Sequence, residues 1–264
     1  MKITKYNLKG NVSIKIAHFS DIHFNIDYKQ KKFNDIIEAL ALEKPDYVCI
    51  TGDLIDHIGL DITGLINFLE KLSKYKIIIS LGNHDVRDYQ GLSDNKWYLK
   101  LKEIKNCILL DNEFYIDNNI CFYGFNPSIR YYENEAMNEK LLLNELSKIK
   151  FPKKKYNILL CHTPVHFDSK KFTSTIANFD LVLAGHTHNG LMPHFIKGTN
   201  GLITPSKKLF AKNVRNSFKN NNVIVIISGG VVKLGKDTGL FHFFDRFYQS
   251  DLNMIEVKNL SVAK

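Results

Sequence analysis

Five short stretches of this chain set carboxylates, imidazoles or an amide directly after an apolar run. They are Asp21-Ile22-His23, Gly52-Asp53-Leu54-Ile55-Asp56, Gly82-Asn83-His84-Asp85, His162-Thr163-Pro164 and Gly185-His186-Thr187-His188. Oxygen and imidazole donors without thiolate suit Mn, Fe, Zn, Co or Ni. Asp21 and His23 are two residues apart, so in an extended segment both face one side and can converge on one divalent ion. His186 and His188 repeat that spacing. Asp53 follows a glycine at the end of an apolar run and is the better ligand candidate of its stretch. Asp56 either caps the segment that follows or hydrogen-bonds a ligand, and His57 beside it reads as a surface residue. Any one stretch would also fit a plain turn, since Asn and Asp are common turn formers. The same pattern repeated along one chain speaks against turns without chemistry.

Such side chains need strands to carry them. Residues 14–20, 47–51, 77–79, 157–161 and 180–184 are short runs that read as strands, and in 77–79 β-branched residues dominate, which favours strand over helix. Each ends at one of the polar stretches, and Gly82 allows the sharp turn as its strand ends. Strand tips are where α/β proteins place their chemistry. Between the first three strands, residues 29–42 repeat apolar positions at Phe33, Ile36, Ile37 and Leu40, and residues 60–75 do so at Leu65, Ile66, Leu69 and Leu72. That spacing predicts two helices, and the order strand–helix–strand–helix–strand predicts parallel βαβ units. Residues 1–12 read as an edge strand or lead-in. Residues 86–106 are helical or irregular, with Trp97, Tyr98, Leu101 and Ile104 facing the core. Runs at 108–110, 114–116 and 120–124 predict hairpins, and residues 135–150 a third helix through Leu141, Leu142, Leu143, Leu146 and Ile149. Residues 189–222 read as a long loop whose basic residues and His194 either contact substrate or belong to a solvated loop with a turn or hairpin. Further strands are expected at 223–228 and 254–257. An aromatic stretch between them, Leu240-Phe241-His242-Phe243-Phe244 with Phe247-Tyr248, reads as core filling, or else as a rim for an apolar substrate or membrane surface.

The chain has 264 residues, 44% apolar and 24% charged, which is an ordinary globular balance. With no internal repeat and no low-complexity linker, residues 1–264 are expected to form one domain. The net charge of +9 favours acidic partners such as phosphate esters, nucleic acid or anionic surfaces. The excess is diffuse: its densest runs, residues 29–32 and Lys153-Lys154-Lys155, lack the interleaved aromatics of a nucleic-acid platform. A small phosphate-ester substrate is therefore preferred to nucleic acid. Cys49, Cys107, Cys121 and Cys161 form no C-x-x-C pair and lie in or beside apolar segments, so they read as buried free thiols in a reducing, cytoplasmic compartment. No apolar run approaches the ~18 residues of a membrane span, and the start lacks a signal-peptide core. A chain stripped of an N-terminal anchor would instead be membrane-associated or extracytoplasmic, with peripheral membrane contact.

In number, order and character, the five stretches resemble the motifs of the calcineurin-like metallophosphoesterase family, and within it the bacterial branch of predicted phosphohydrolases. The resemblance covers residues 14–188 and, more loosely, the chain from there to its C-terminus. It implies an α/β fold, a four-layer αββα sandwich with a dimetal site at the C-terminal ends of strands. It implies one metal ion on Asp21, His23 and His188, a second on Asn83, His162 and His186, and Asp53 bridging them. Two divalent or trivalent ions about 3.5–4 Å apart would activate a shared water for in-line attack on phosphorus. His84 would assist the leaving group, as an imidazole titrating near neutrality can, with Asp85 orienting it or only stabilising the turn. Asn189 stands where that branch often has glycine, which alters the substrate rim and not the ligands. The competing readings are a non-catalytic metal-binding scaffold, a nuclease, and a pyrophosphatase acting on a nucleotide-linked lipid.

Overall fold

The structure is a computed structural model, and it describes all residues except 26–29, 88–95, 136, 194, 206–207, 232–249 and 260–264. Two six-stranded sheets carry the fold. The first runs in the order β1 (Lys2–Gly10), β12 (Asp251–Asn259), β2 (Ile14–Phe19), β3 (Tyr47–Thr51), β4 (Lys76–Ser80) and β5 (Cys107–Leu110). The second runs β10 (Asn216–Asn220), β11 (Val223–Ile227), β9 (Leu181–Ala184), β8 (Tyr156–Cys161), β7 (Ile120–Phe125) and β6 (Glu113–Asp117). Strands β2 to β5 are mutually parallel, as are β11, β9, β8 and β7. Parallel strands covered on both faces should read as unbroken apolar runs. Strands β3, β7, β8 and β9 are buried at every position.

Helices α1 (Gln30–Glu43) and α2 (Thr63–Lys71) connect β2 to β3 and β3 to β4. The short α3 (Asn83–Val86) follows β4, and a 3-10 helix at Trp97–Glu103 precedes β5. Helices α4 (Ile129–Glu133) and α5 (Glu139–Ser147) lie between β7 and β8, and α6 (Thr173–Ile176) between β8 and β9. Three apolar cores separate the layers. Phe33, Ile36, Leu65 and Phe68 pack on Ala17, Val48, Ile50 and Ile79. Ile16, Cys49 and Ile78 face Phe122, Ile158, Leu183 and Ile226 between the sheets. Leu142, Leu146 and Ile176 cover Leu159, Val182 and Val225 on the far side. The alternation of Ile16 and Ala17 between the middle and first cores is the two-residue period of a strand. The order helix, sheet, sheet, helix is the four-layer αββα sandwich that the family resemblance implies.

Several local expectations are corrected. The helix expected over 60–75 spans only Thr63–Lys71. The helix expected over 135–150 begins at Glu139, because α4 ends earlier at Asn134, whose φ of −153° is extended, and Asn138 Nδ2 donates to the Arg130 carbonyl. Glu135 thus sits in a link and not in a helix. Strands β5 and β6 form no hairpin: the chain leaves the first sheet after Leu110 and enters the second at Glu113, so only β6 and β7 pair as one. Residues 189–222 end in strand β10, half of a hairpin with β11. The last strand, longer than residues 254–257, lies inside the first sheet between β1 and β2. The aromatic stretch at 240–248 and His194 lie outside the described residues.

Candidate metal centre

The parallel arrangement sends β2, β3, β4, β8 and β9 to one end of the sandwich, and every sequence-predicted site residue lies just past one of these strands. The tips are stitched together by main chain. Asp21 N donates to Gly52 O (3.0 Å), and His23 N to Asp53 O (2.9 Å), so the β2–β3 pairing continues beyond both strands. Gly185 N donates to His162 O (2.8 Å), which does the same for β9 and β8. Gly52, at φ +75°, passes so close to the β4 tip that a Cβ there would stand 2.5 Å from Gly82 N and 2.8 Å from His162 Nδ1.

The candidate ligands do not converge by extended alternation. Asp21, His23, Asp53, His186 and His188 all have left-handed backbones, with φ of 52°, 42°, 51°, 67° and 46°. A residue of that kind costs of order 1–3 kcal/mol and persists only where its surroundings enforce it. The turns put Asp21 and His23 on one point while Ile22 between them drops into the core, fully buried.

Asp21 Oδ1 lies 3.3 Å from His188 Nε2, 3.8 Å from His23 Nε2 and 3.9 Å from His162 Nε2. Its Oδ2 accepts from His186 N (3.0 Å) and from Ser20 Oγ, which leaves Oδ1 turned into the cluster. Asp53 Oδ1 accepts from His84 N (2.8 Å), and its Oδ2 stands between His162 Nε2 (3.1 Å) and His23 Nε2 (3.6 Å). Three groupings could each hold an ion: Asp21, His23 and His188; His23, Asp53 and His84; Asp53, His162 and His186. Asp53 thus belongs to a grouping on either side of it. Asn83 is buried with its Oδ1 unbonded, and Asp21 Oδ1, His23 Nε2, His162 Nε2 and His188 Nδ1 are likewise buried without a hydrogen-bond partner. Buried polar atoms are normally paired. Asp21 Oδ1, with His23 Nε2 at 3.8 Å and His162 Nε2 at 3.9 Å, puts three such orphaned atoms in one cluster, which fits bound cations, and the residues present fit the two ions that the family chemistry implies.

Outer contacts fix the imidazoles. His162 Nδ1 is 2.7 Å from Thr51 O and His84 Nδ1 is 2.6 Å from Asp56 O, so each ring donates through Nδ1 and turns Nε2 to the cluster. Burial opposes a charge on His162, yet the facing Asp53 and Asp21 carboxylates outweigh it and raise its pKa to about 10. Burial lowers His23 to about 4, against the pull of Asp53. Burial would raise Asp53, but His162, His84 and His23 hold it well below the usual carboxylate range.

Asp85 does not orient the His84 imidazole. Its Oδ1 accepts from Leu54 N (2.9 Å) and Ile55 N (3.3 Å), and its Oδ2 from Gly82 N (2.8 Å). It braces the loop that carries Asp53, which is the turn-stabilising alternative. Asp56 contributes its carbonyl to His84, with its carboxylate 3.9 Å from His23 Nδ1. His57 reaches Asp56 at 3.7 Å and is partly exposed. Sequence reasoning missed Ser20, Tyr132 and Glu135. Glu135 Oε1 lies 3.1 Å from His186 Nε2, and the Tyr132 ring centre is 5.8 Å from that of His186. Glu135 and Tyr132 follow no apolar run, so the strand-tip signal could not find them.

Two parallel-rich sheets whose carboxyl ends share a ring of carboxylates and imidazoles define an α/β sandwich built around a candidate metal centre. The family model for the calcineurin-like phosphoesterases matches residues 14–190, and the chain belongs to that family. It is 31% identical over 187 residues to an uncharacterised metallophosphoesterase of Campylobacter jejuni, covering 70% of this chain and 46% of that one. It is 27% identical over 202 residues to an uncharacterised metallophosphoesterase of Aquifex aeolicus, covering 73% and 71%. The chain thus spans about half the length of the Campylobacter relative (46%). The crystal structure of TT1561 from Thermus thermophilus shares the fold, with a TM-score of 0.50 at 12% identity over 84% of this chain and 92% of that one.

Proposed function

We propose that the chain is a metal-dependent phosphoesterase that hydrolyses phosphomonoesters or phosphodiesters. The observation that carries this reading is Asp53 Oδ2, set between His162 on one side and His23 on the other. Asp21, His23 and His188 would hold one ion, Asn83, His162 and His186 the second, and Asp53 both. Ions bound there acidify a water and neutralise charge on the phosphoryl oxygens.

The chain's own residues do the rest. The Asp53 and Asp21 carboxylates are held by main-chain amides, so the ring is formed before substrate arrives. His84 is partly exposed beside His23, with ring centres 4.7 Å apart. Its Nδ1 is anchored on the Asp56 carbonyl, and its Nε2 is the atom that would protonate the leaving oxygen. Burial opposes its charging, but Asp53 and the Asp56 carbonyl raise its pKa above the ordinary imidazole value, the direction a proton donor requires.

Residues 1–264 are read as one domain because both sheets contribute to the middle core. The free, buried Cys49, Cys107, Cys121 and Cys161 support a reducing, cytoplasmic setting. No helix among the described residues is long and apolar enough to cross a membrane.

The test is hydrolysis of p-nitrophenyl phosphate and bis-p-nitrophenyl phosphate by metal-stripped protein, with Mn, Zn, Ni, Co, Fe or Mg restored singly. Turnover restored by metal and abolished in Asp53→Asn is the expected result. In His84→Ala, metal content should persist while kcat falls about 10²- to 10⁴-fold. An unchanged kcat overturns the role given to His84.

A further inference from the structure

Glu135 is a buried carboxylate that the proposed chemistry does not use. It is 4% exposed and lies in the link between α4 and α5, on the second-sheet side of the centre. Its Oε1 faces His186 Nε2 at 3.1 Å and accepts from Thr163 Oγ1 at 3.0 Å. Thr163 directly follows His162, so one carboxylate oxygen ties together the tips of β8 and β9. The link itself is pinned, since His166 Nε2 lies 2.7 Å from the Glu135 carbonyl. Leaving a carboxylate buried is costly unless it is paired and hydrogen-bonded.

We propose that Glu135 is a positioning residue for the second metal ion, acting through His186. An imidazole bonded to a carboxylate through Nε2 carries its proton there and presents Nδ1 as the lone-pair donor. It is also a stronger base than one bonded to a neutral carbonyl. His162, the other imidazole of that ion, has the Thr51 carbonyl behind it. Asp53 Oδ2 lies by both His162 and His23 and would serve both ions, whereas Asp21 Oδ1 lies nearer His188 (3.3 Å) and His23 (3.8 Å) than His162 (3.9 Å), so the second position would have one carboxylate where the first has two. Glu135 therefore supplies, one bond removed, the negative charge that the second position lacks. This makes affinity for the second ion, and not for the first, depend on Glu135. The inference rests on the reading of His186 as a ligand.

The experiment is titration of metal-stripped full chain with Mn²⁺, with stoichiometry from elemental analysis and stepwise affinities from calorimetry. It compares wild type, Glu135→Gln, Glu135→Ala, His186→Ala and the double variant Glu135→Ala/His186→Ala. Wild type should bind two ions. Glu135→Ala should bind the second 10- to 100-fold more weakly with the first unchanged. Glu135→Gln keeps an acceptor for Nε2–H and the side-chain shape, and should fall between, with a native near-UV spectrum that separates lost affinity from lost folding. In the His186→Ala background, removing Glu135 should add nothing. Undiminished second-ion affinity in both Glu135 variants overturns the inference and leaves the metal-centre reading intact. A further loss in the double variant also overturns it, because Glu135 would then act by a route other than His186, such as Thr163 beside His162. A wild type that binds no second ion, or a His186→Ala protein that keeps it, overturns the metal-centre reading and the inference with it.

Discussion

Asp85 shows how a side chain without chemistry of its own can decide whether a site exists. Its two oxygens accept from three main-chain amides, those of Leu54, Ile55 and Gly82. Asp85→Ala would leave these buried donors without an acceptor, each at a cost of about 1–3 kcal/mol. We expect urea unfolding to show a loss of roughly 3 kcal/mol or more, and metal titration to show weaker binding, because the braced loop carries Asp53. Asp21, His23, Asp53, Asn83, His84, His162, His186 and His188 were legible because each stands at the end of an apolar run. The backbone that brings them together was not. An extended tip would have placed Asp21 and His23 on one side, whereas both adopt left-handed turns that no local pattern announces. Glu135 was illegible for a different reason: its partner is 51 positions along the chain, by comparison of residue numbers 135 and 186.

The strand tips are useful only because they lie close, and Gly52 marks where closeness is tightest. Gly52→Ala would set a methyl 2.5 Å from Gly82 N at a backbone φ of +75°, so the β3 and β4 tips must part. Reduced thermal stability together with weakened Mn²⁺ binding is the expected result; an alanine variant with unchanged binding would show the approach to be dispensable. The C-terminal end of α1 offers a pH test. Glu43 joins Lys15 of β2 at 2.8 Å and Lys5 of β1 at 2.6 Å, and these lysines lower its pKa. A depressed acid contributes stability above its unfolded value of 4.5, and that contribution is lost as pH falls through the folded value. Glu43→Gln should flatten this part of the stability curve, by no more than about 1 kcal/mol for so exposed a pair. The helices were legible in existence but not in extent. Periodicity marks a face over 60–75 and cannot show that the chain turns helical only at Thr63, where Asp61 Oδ1 accepts from the Thr63 amide and hydroxyl.

At the scale of the molecule, three apolar cores hold four layers, and the centre sits where both sheets end. His186 N reaches across to Asp21 Oδ2, and His162 Nδ1 to Thr51 O, so the sheets are joined at the site as well as in the core. Ions that bind this assembled state and not the unfolded chain must stabilise the whole, by about 2.7 kcal/mol at a concentration 100 times Kd. Chelation should therefore lower Tm, and Mn²⁺ restore it, in scanning calorimetry of wild type but not of Asp53→Asn. The parallel βαβ order was legible from alternating strand and helix patterns, and the four layers only through the family resemblance. The position of β12 was not, because an apolar run states that a strand exists and is silent on which neighbours it takes.

That position matters while the protein is being made. Every candidate ligand has been synthesised by His188, yet β12 separates β1 from β2 and seals the helix side with Leu252 and Met254 and the middle core with Ile255 and Val257. Beneath the site, Asn253 Nδ2 lies 3.4 Å from His18 Nδ1, and His18 Nε2 is 2.9 Å from the Thr51 hydroxyl, whose own carbonyl holds His162. A nascent chain still lacking β12 presents an open β2 edge, a surface prone to pair with other chains. The protein carries the parts of its centre for some seventy residues of translation (188 to 259) before the strand that closes them arrives.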